Sequence, residues 1–419
     1  MKKILLGICI LLVAISMIAG SLVGCGTKTS STTATTASTS APLKEATILI
    51  GVDAPLTGGA APWGLSVQHG VTLAFDDVNT AGGLTIGDTH YTFKVECLDD
   101  KYDTALTTNN IRQLVYSDGS KYIFTFQTEG SLALGPTLTN EKVISFTVVN
   151  DDAVINQPAN AYTFRTFMPT SIQIDSYIGY LVKSNSSLKS VACITTNNDN
   201  GEFIVNLVKS AAQHYNLNNL SAILYDSGTT DFTPFVTKLL SESPDMVNMI
   251  GTPTGDSALI CKALYGMGFK GIIADGTVGA ADLLPIAGQA ALEGVYDSNL
   301  ALQAPFVTPT VLGLKDREVA RWGTAYCCTW DFYSQATLMY DAMKKANSID
   351  TTAVKNILQD TTQKWPYAAL TGGVSVFGSD QAKALYGADA TNQILNPWAL
   401  CQIQGGKDVI VSIIQPPGQ

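Results

Sequence analysis

Residues 50–84, IGVDAPLTGGAAPWGLSVQHGVTLAFDDVNTAGGL, decide how this chain is read. They begin inside a continuous apolar run, ILIGVDAPL (48–56), that ends in turn residues, as a strand buried on both faces does. Val71, Ala74, Phe75 and Val78 then fall at i, i+3, i+4 and i+7, one face of a helix that stops near Ala81-Gly82-Gly83. A buried strand feeding an amphipathic helix is the first half of a βαβ unit, so a parallel sheet is expected around residue 50.

The same alternation continues outward. Tyr91, Phe93, Val95 and Cys97 alternate with polar residues as a period-two strand, Ile111, Leu114 and Val115 mark a helix, and YIFTF (122–126) and VISFTVV (143–149) read as strands. A second series starts with SVACITT (190–196), followed by a helix carrying Phe203, Leu207 and Val208. AILYD (222–226), a helix with Phe232, Phe235, Val236, Leu239 and Leu240, MVNMIG (246–251) and GIIADG (271–276) complete it. Two series of βα units imply two α/β lobes with helices on both sheet faces, joined near Phe164–Pro169. Ligands in such folds bind outside the carboxyl ends of the strands, so the residues just after each strand carry the functional interest.

Composition narrows the classes. The 419 residues hold 25 Lys+Arg against 35 Asp+Glu, a net charge of −10, with only 14% charged and 46% apolar residues. A nucleic-acid groove needs clustered cations, and the arginines here number four (Arg112, Arg165, Arg317 and Arg321), which excludes that partner. Lys2 and Lys3 precede an uncharged run, Ile4 to Gly24, with the marks of a secretory signal. Its end, Leu22-Val23-Gly24-Cys25, resembles the bacterial lipoprotein cleavage box, which implies cleavage before Cys25 and a diacylglycerol on its thiol. Thr27 to Ser40 then holds 11 Ser/Thr among 14 residues, a tether with nothing to bury. No later apolar run is long enough to span a bilayer.

Several chemical motifs fail on context. Gly266-Met267-Gly268-Phe269-Lys270-Gly271 matches G-x-G-x-x-G but follows a helix and precedes a strand, the reverse of a dinucleotide site, so helix C-cap glycines are expected. Asn198-Asp199-Asn200-Gly201 lacks the twelfth-position acid of a calcium loop. No G-x-S-x-G elbow exists, and His69, His90 and His214 are scattered. The cysteines left after Cys9 and Cys25 show no C-x-x-C spacing, so they are expected to be mostly reduced and buried, and no metal or cofactor is expected. The adjacent pairs Asp76-Asp77, Asp99-Asp100 and Asp151-Asp152 are expected to point apart.

The opening stretch resembles the start of the branched-chain amino-acid-binding family of type I periplasmic binding proteins, through Pro55, Thr57, Gly58, Trp63, Gly64, Asn79 and Ala81-Gly82-Gly83. Asp99-Asp100, Phe164-Arg165-Thr166, Pro285-Ile286-Ala287-Gly288 with Glu293-Gly294, and the Pro366–Phe377 region continue the likeness in order. The resemblance implies two Rossmann-like lobes hinged by three crossings near 167, 298 and 395. The expected organisation is a signal peptide (1–24), a tether (25–46), an N-terminal lobe (47–167 and 299–395) and a C-terminal lobe (168–298 and 396–419).

It also implies a lipid-anchored extracytoplasmic receptor, not an enzyme, that traps a small polar solute (amino acid, amide or amine) by hinge closure. Its partners would be an ABC permease and ATPase, with the chain itself a monomer. A sensor of the same fold, signalling to a membrane partner, is the alternative, and a lipid-anchored hydrolase a third class. Mapped onto this sequence, the family's ligand positions fall on Trp63, the loop Gln127-Thr128-Glu129, the loop Asn150-Asp151, Asn200, Thr252 and Asp275. Here Glu129 stands near the family's carboxylate-binding Ser, Asn200 replaces an aromatic, and Asp275 adjoins the position of an ammonium-gripping acid. With three acids and no matched Ser, the expected ligand is a small polar or cationic amine or amide stacked on Trp63, ahead of a branched-chain amino acid.

Overall fold

A computed structural model describes residues 42–276, 279–297, 308–326, 328–366, 374–395 and 398–414. The signal, the tether as far as residue 41 with Cys25, Cys327 and the crossing near 298 lie outside the described residues. The tether was expected to run to 46, but Lys44, Glu45 and Ala46 already belong to the first strand, because their backbone pairs with Thr89, His90 and Tyr91. The first sheet contains β1 (Lys44–Ala54), β2 (Leu84–Ile86), β3 (Thr89–Asp99), β4 (Tyr122–Thr125), β5 (Ile144–Thr147) and β6 (Thr163–Arg165), in the order β2-β3-β1-β4-β5-β6. β1 lies between β3 and β4, parallel to both, so the strand order reverses beside it. That reversal opens a crevice at the carboxyl ends of β1 and β4.

Helices α1 (Ala61–Thr80), α2 (Thr104–Arg112) and α3 (Thr128–Asn140) follow β1, β3 and β4. Val71, Ala74, Phe75 and Val78 are all buried, and the Phe75 ring lies 4.9 Å from that of Phe93. α2 continues as one π-helical turn, Gln113–Ser117, which buries Leu114 and Val115. Asn79 ties the end of α1 to β3: its Nδ2 donates to Phe93 O and its Oδ1 accepts from Phe93 N, both at 2.8 Å.

After α4 (Thr170–Ser184), the second sheet brings together β7 (Ser190–Thr196), β8 (Asn218–Asn219), β9 (Ile223–Tyr225), β10 (Met246–Asn248), β11 (Ile272–Ala274), β12 (Tyr296–Asp297), β15 (Trp398–Gln404) and β16 (Lys407–Ile414). Its order is β16-β15-β12-β11-β10-β7-β8, with β9 also on β7. Helices α5 (Asp199–His214), α6 (Thr233–Leu240), α7 (Thr254–Gly266), α8 (Ala280–Ala287) and α9 (Gln289–Leu292) connect the strands. A separate two-stranded ribbon pairs β13 (Trp365–Pro366) with β14 (Val374–Ser375).

The sheets are mostly, not wholly, parallel. β2–β3 and β15–β16 are antiparallel hairpins, because two-residue links, Gly87-Asp88 and Gly405-Gly406, leave no room for a crossover. Gly405 and Gly406 both have positive φ, the requirement of a type I′ turn. On α5 the buried face is Ile204, Val208 and Ala211; Phe203 and Leu207 sit at its half-exposed edge, since this helix has more apolar residues than its face can hold. Gly268 takes a left-handed conformation after α7, with Phe269 N donating to Leu264 O, so the glycine triplet is a helix stop.

Chain from beyond residue 308 returns to the first sheet as α10 (Pro309–Trp322), α11 (Thr329–Ala346) and α12 (Thr351–Leu358). α11 packs along α1 so closely that a Cβ on Gly70 would lie 2.4 Å from Thr329 O and 2.7 Å from Tyr333 N. His69 stacks on Trp322 at 3.8 Å and pairs with buried Glu318 at 2.7 Å, and Glu318 also accepts from Thr329 Oγ1. Asp76 and Asp77 go to different cations, Arg321 and Arg317. Of the described cysteines, Cys193, Cys261, Cys328 and Cys401 are buried and Cys97 half-buried; burial pushes the Cys193 thiol up to about 12.

The same substitution should act in opposite directions on two helices. Gly70→Ala meets main chain that cannot move aside, and should lower stability by about 1–3 kcal/mol. Gly313→Ala on α10 meets nothing within 4 Å and should raise it by roughly 0.5–1 kcal/mol. Urea midpoints of the two variants, measured together, check the pair.

Candidate functional site

The loops that leave the carboxyl ends of both sheets converge. After β1, the turn through Leu56 and Thr57 is held by Asp99, whose carboxylate accepts from Leu56 N (2.8 Å), Thr57 Oγ1 (2.7 Å) and Lys101 N (2.9 Å). α1 can start immediately afterwards because Gly64 lets it pass against Pro55: a Cβ there would sit 1.9 Å from Pro55 O. This places Trp63 in the first turn, its ring 5.8 Å from Phe126, 6.1 Å from Phe167 and 6.5 Å from Phe332. After β3, Lys101 and Tyr102 both adopt left-handed backbone, and buried Asp100 accepts from Tyr102 N at 2.7 Å. The Tyr102 ring thereby comes 6.2 Å from Phe126.

These groups enclose a cavity of about 50 Å³, lined by Trp63, Tyr102, Phe126, Thr128, Val148, Asn150, Phe167, Gly251 and Thr252. Such a volume admits a few water-sized groups once the lobes are closed. The lobes meet directly around it. Gly255 N donates to Gly59 O at 3.0 Å, Asn200 N to Glu129 Oε1 at 3.1 Å, and Asn150 Nδ2 to Asn200 Oδ1 at 3.0 Å. A larger recess of about 1060 Å³ opens at the opposite, amino-terminal end of the second sheet's strands, and it shares no lining residue with this cavity.

Four of the nine residues expected at the site (Trp63, Thr128, Asn150 and Thr252) line the cavity, and five do not. Gln127 lies beneath it as the N-cap of α3, accepting from Gly130 N at 2.6 Å and donating to Thr104 Oγ1 and to Glu129. Glu129 and Asn200 face each other across the lobes. Asp151 caps the 3-10 turn Asp152–Ile155 through Ala153 N at 2.8 Å. Asp275 is buried behind α7, with Ser257 as its neighbour. Tyr102, Phe126, Val148, Phe167 and Gly251 were missed, although Phe126 and Gly251 close runs already read as strands and Val148 is next to last in one.

Charge around the cavity is one-sided. None of its lining residues is Lys or Arg. Burial holds the carboxyls of Asp53 and Asp100, at the ends of β1 and β3, well above the usual carboxylate range. Burial also pushes Asp256 up to about 6, with Tyr225 donating to it at 3.0 Å. Arg165, a buried cation, is committed elsewhere. It pairs with Asp152 at 2.6 Å and donates to the carbonyls of Val149, Asn150 and Asp151 and to Gln393. Among the described residues no cluster of His, Cys, Asp and Glu is arranged to hold a metal, and no helix is long and apolar enough to cross a membrane.

Two α/β lobes meeting over an aromatic-walled cavity at their strand ends define a solute-binding fold. The chain belongs to the periplasmic binding protein family, whose model matches residues 47–407. Leu/Ile/Val-binding protein homolog 3 of Brucella melitensis is 26% identical over 323 residues, covering 75% of this chain and 84% of that protein. Among solved structures, the leucine-binding protein LivK of Thermotoga maritima is similar with a TM-score of 0.74 and 18% identity, over 89% of this chain and all of that one. The substrate-binding protein LivJ of Streptococcus pneumoniae, solved with isoleucine, gives 0.71 and 19%, over 88% of this chain and all of that one. The family is one of binding proteins, not enzymes.

Asp275 supplies a pH test. Burial pushes its carboxyl up to about 7 from an unfolded value near 4, so the folded state holds a proton that the unfolded state has lost. Its contribution to stability is therefore full below about pH 4 and declines as pH rises through about 7. Asp275→Asn should flatten the slope between those limits and gain on wild type at pH 8, read from urea midpoints at pH 5, 6.5 and 8.

Proposed function

We propose that this chain is the lipid-anchored, extracytoplasmic receptor of an ABC importer, capturing a small polar solute (amino acid, amide or amine) between its lobes. The observation that carries this reading is the cavity itself, walled by loops from the carboxyl ends of both sheets and sealed by bonds between them. Lobe closure over a solute is a standard hinge response, and it needs no catalytic group. The lobes on this reading are 47–167 with 299–395, and 168–298 with 396–419. Two of the three crossings, those near 167 and 395, adjoin segments that pair with each other, Arg165 N donating to Asn392 O and Ile394 N to Arg165 O, which supports this division.

Within the cavity, Trp63 supplies a flat apolar face, and Thr128, Asn150 and Thr252 supply hydrogen-bonding groups. This set suits an amine or amide stacked on Trp63. A branched-chain amino acid is the second reading, favoured by the Leu/Ile/Val-binding relative and by the isoleucine in the pneumococcal neighbour.

Calorimetry and thermal shift over leucine, isoleucine, valine, small amides and small amines separate the two. A true ligand at 100 times its Kd should stabilise the protein by about 2.7 kcal/mol, and Trp63→Ala should lose most of that gain. Tight leucine or valine binding, undiminished in Trp63→Ala, would sink the amine or amide reading. The anchor has its own check: Cys25→Ser should move the protein from the membrane fraction to the soluble one and abolish incorporation of labelled fatty acid.

A further inference from the structure

Glu129 stands second in α3, where an acid ordinarily serves its own helix dipole. Its carboxylate instead reaches the other lobe. Oε1 accepts from Asn200 N at 3.1 Å, and Asn200 is the second residue of the sixteen-residue helix α5. Oε2 accepts from Gln127 Nε2, so both oxygens are engaged. The neighbouring amide of α5, Gly201 N, is capped by Asn198 Oδ1 at 2.9 Å. The side chain of Asn200, 1% exposed, continues the contact: it accepts from Asn150 Nδ2, while Asn150 Oδ1 accepts from Thr170 Oγ1 at 2.9 Å. A carboxylate of the protein thus sits on a helix amino-terminus at the edge of the cavity, in the interaction an anionic ligand group would otherwise make. The cavity wall holds no Lys or Arg to receive a second anion.

We propose that Glu129 is the specificity-determining residue of this cleft: its carboxylate occupies the α5 amino-terminus in place of a ligand's own anion, so the site rejects carboxylate-bearing solutes and accepts uncharged or cationic ones. This rests on the reading of the cleft as the solute site and narrows its ligand class. A free carboxylate entering the closed cleft would find the α5 amino-terminus already taken by Glu129 and no cation in the cavity wall, with a like charge just behind that wall to disfavour it. Removing Glu129 does two things at once. It withdraws the repelling charge and frees an amide for an external anion.

The test is chemical rescue on the full chain, with Glu129→Ala and Glu129→Ser made in parallel so that one well-folded variant suffices, each checked by circular dichroism. The probes are sodium acetate, leucine and leucinamide, read by thermal shift and calorimetry at pH 8, with sodium chloride at matched ionic strength as control. The expected result is that acetate raises the melting temperature of the variants and leaves wild type unmoved. The ratio of leucine to leucinamide affinity should rise in the variants by about tenfold or more. Equal acetate response in wild type and variants, or no response in either variant, overturns the proposal. So does wild type binding leucine more tightly than leucinamide. The solute-receptor reading fails separately, if no small molecule of the panel stabilises wild type; the acetate arm still decides Glu129 in that case.

Discussion

Much of the cleft's geometry depends on one buried guanidinium. Arg165 ends β6 with 1% of its surface exposed, and every direction of its fork is used. One arm takes Asp152; another takes three successive carbonyls, of Val149, Asn150 and Asp151; Nε takes Gln393. A planar group with five donors is suited to this task, and Lys would serve it poorly. The carbonyls belong to the loop that presents Asn150 to the cavity, and Gln393 belongs to the segment paired beside the 163–167 crossing. Gln393 carries the connection further by donating to Phe167 O at 3.1 Å, and Phe167 walls the cavity. A single side chain thus fixes the loop that carries Asn150 to the cavity wall and ties it to Gln393.

The strand and helix pattern was largely legible, because burial on both faces of a parallel sheet leaves a plain apolar run. Ser190–Thr196 was read to its ends, and Val71, Ala74, Phe75 and Val78 all proved to be core. The motif residues of the opening stretch also have structural tasks: Gly64 allows α1 to cross Pro55, Thr57 bonds Asp99, and Asn79 locks α1 to β3. Their local spacing explains why one sequence could show them. The site was half legible. Trp63, Thr128, Asn150 and Thr252 were reached through the family resemblance, and the last three stand within four residues of a strand end, but the fate of a carboxylate is settled within about 3 Å by its neighbours. Asp151 caps a turn two residues on, and Gln127 caps α3. Glu129 meets an amide 71 positions away, which no local pattern encodes.

The low charge content also acquires a place. Asp53, Asp100, Asp256 and Asp275 are carboxyls that burial biases toward the neutral form, and they cluster at the carboxyl ends of the strands in both sheets. An acid near neutrality donates and accepts hydrogen bonds without presenting a full charge, so the ring around the cleft is less negative than its residue names imply. Other acids here are directed at defined partners: Asp99 at a turn, Asp152 at Arg165 and Glu129 at a helix end.

The packing of α11 along α1, through Gly70, sets the order in which the molecule can be assembled. The helix that opens the first lobe meets its partner only when residues 329–346 exist, and β12 gains its outer neighbour only with residues 398–404. A chain made from its amino-terminus therefore cannot complete either lobe until nearly the whole of it is present. Contacts of such long range close slowly. For a chain of a periplasmic family, that delay leaves both lobes incomplete until the last strands have arrived.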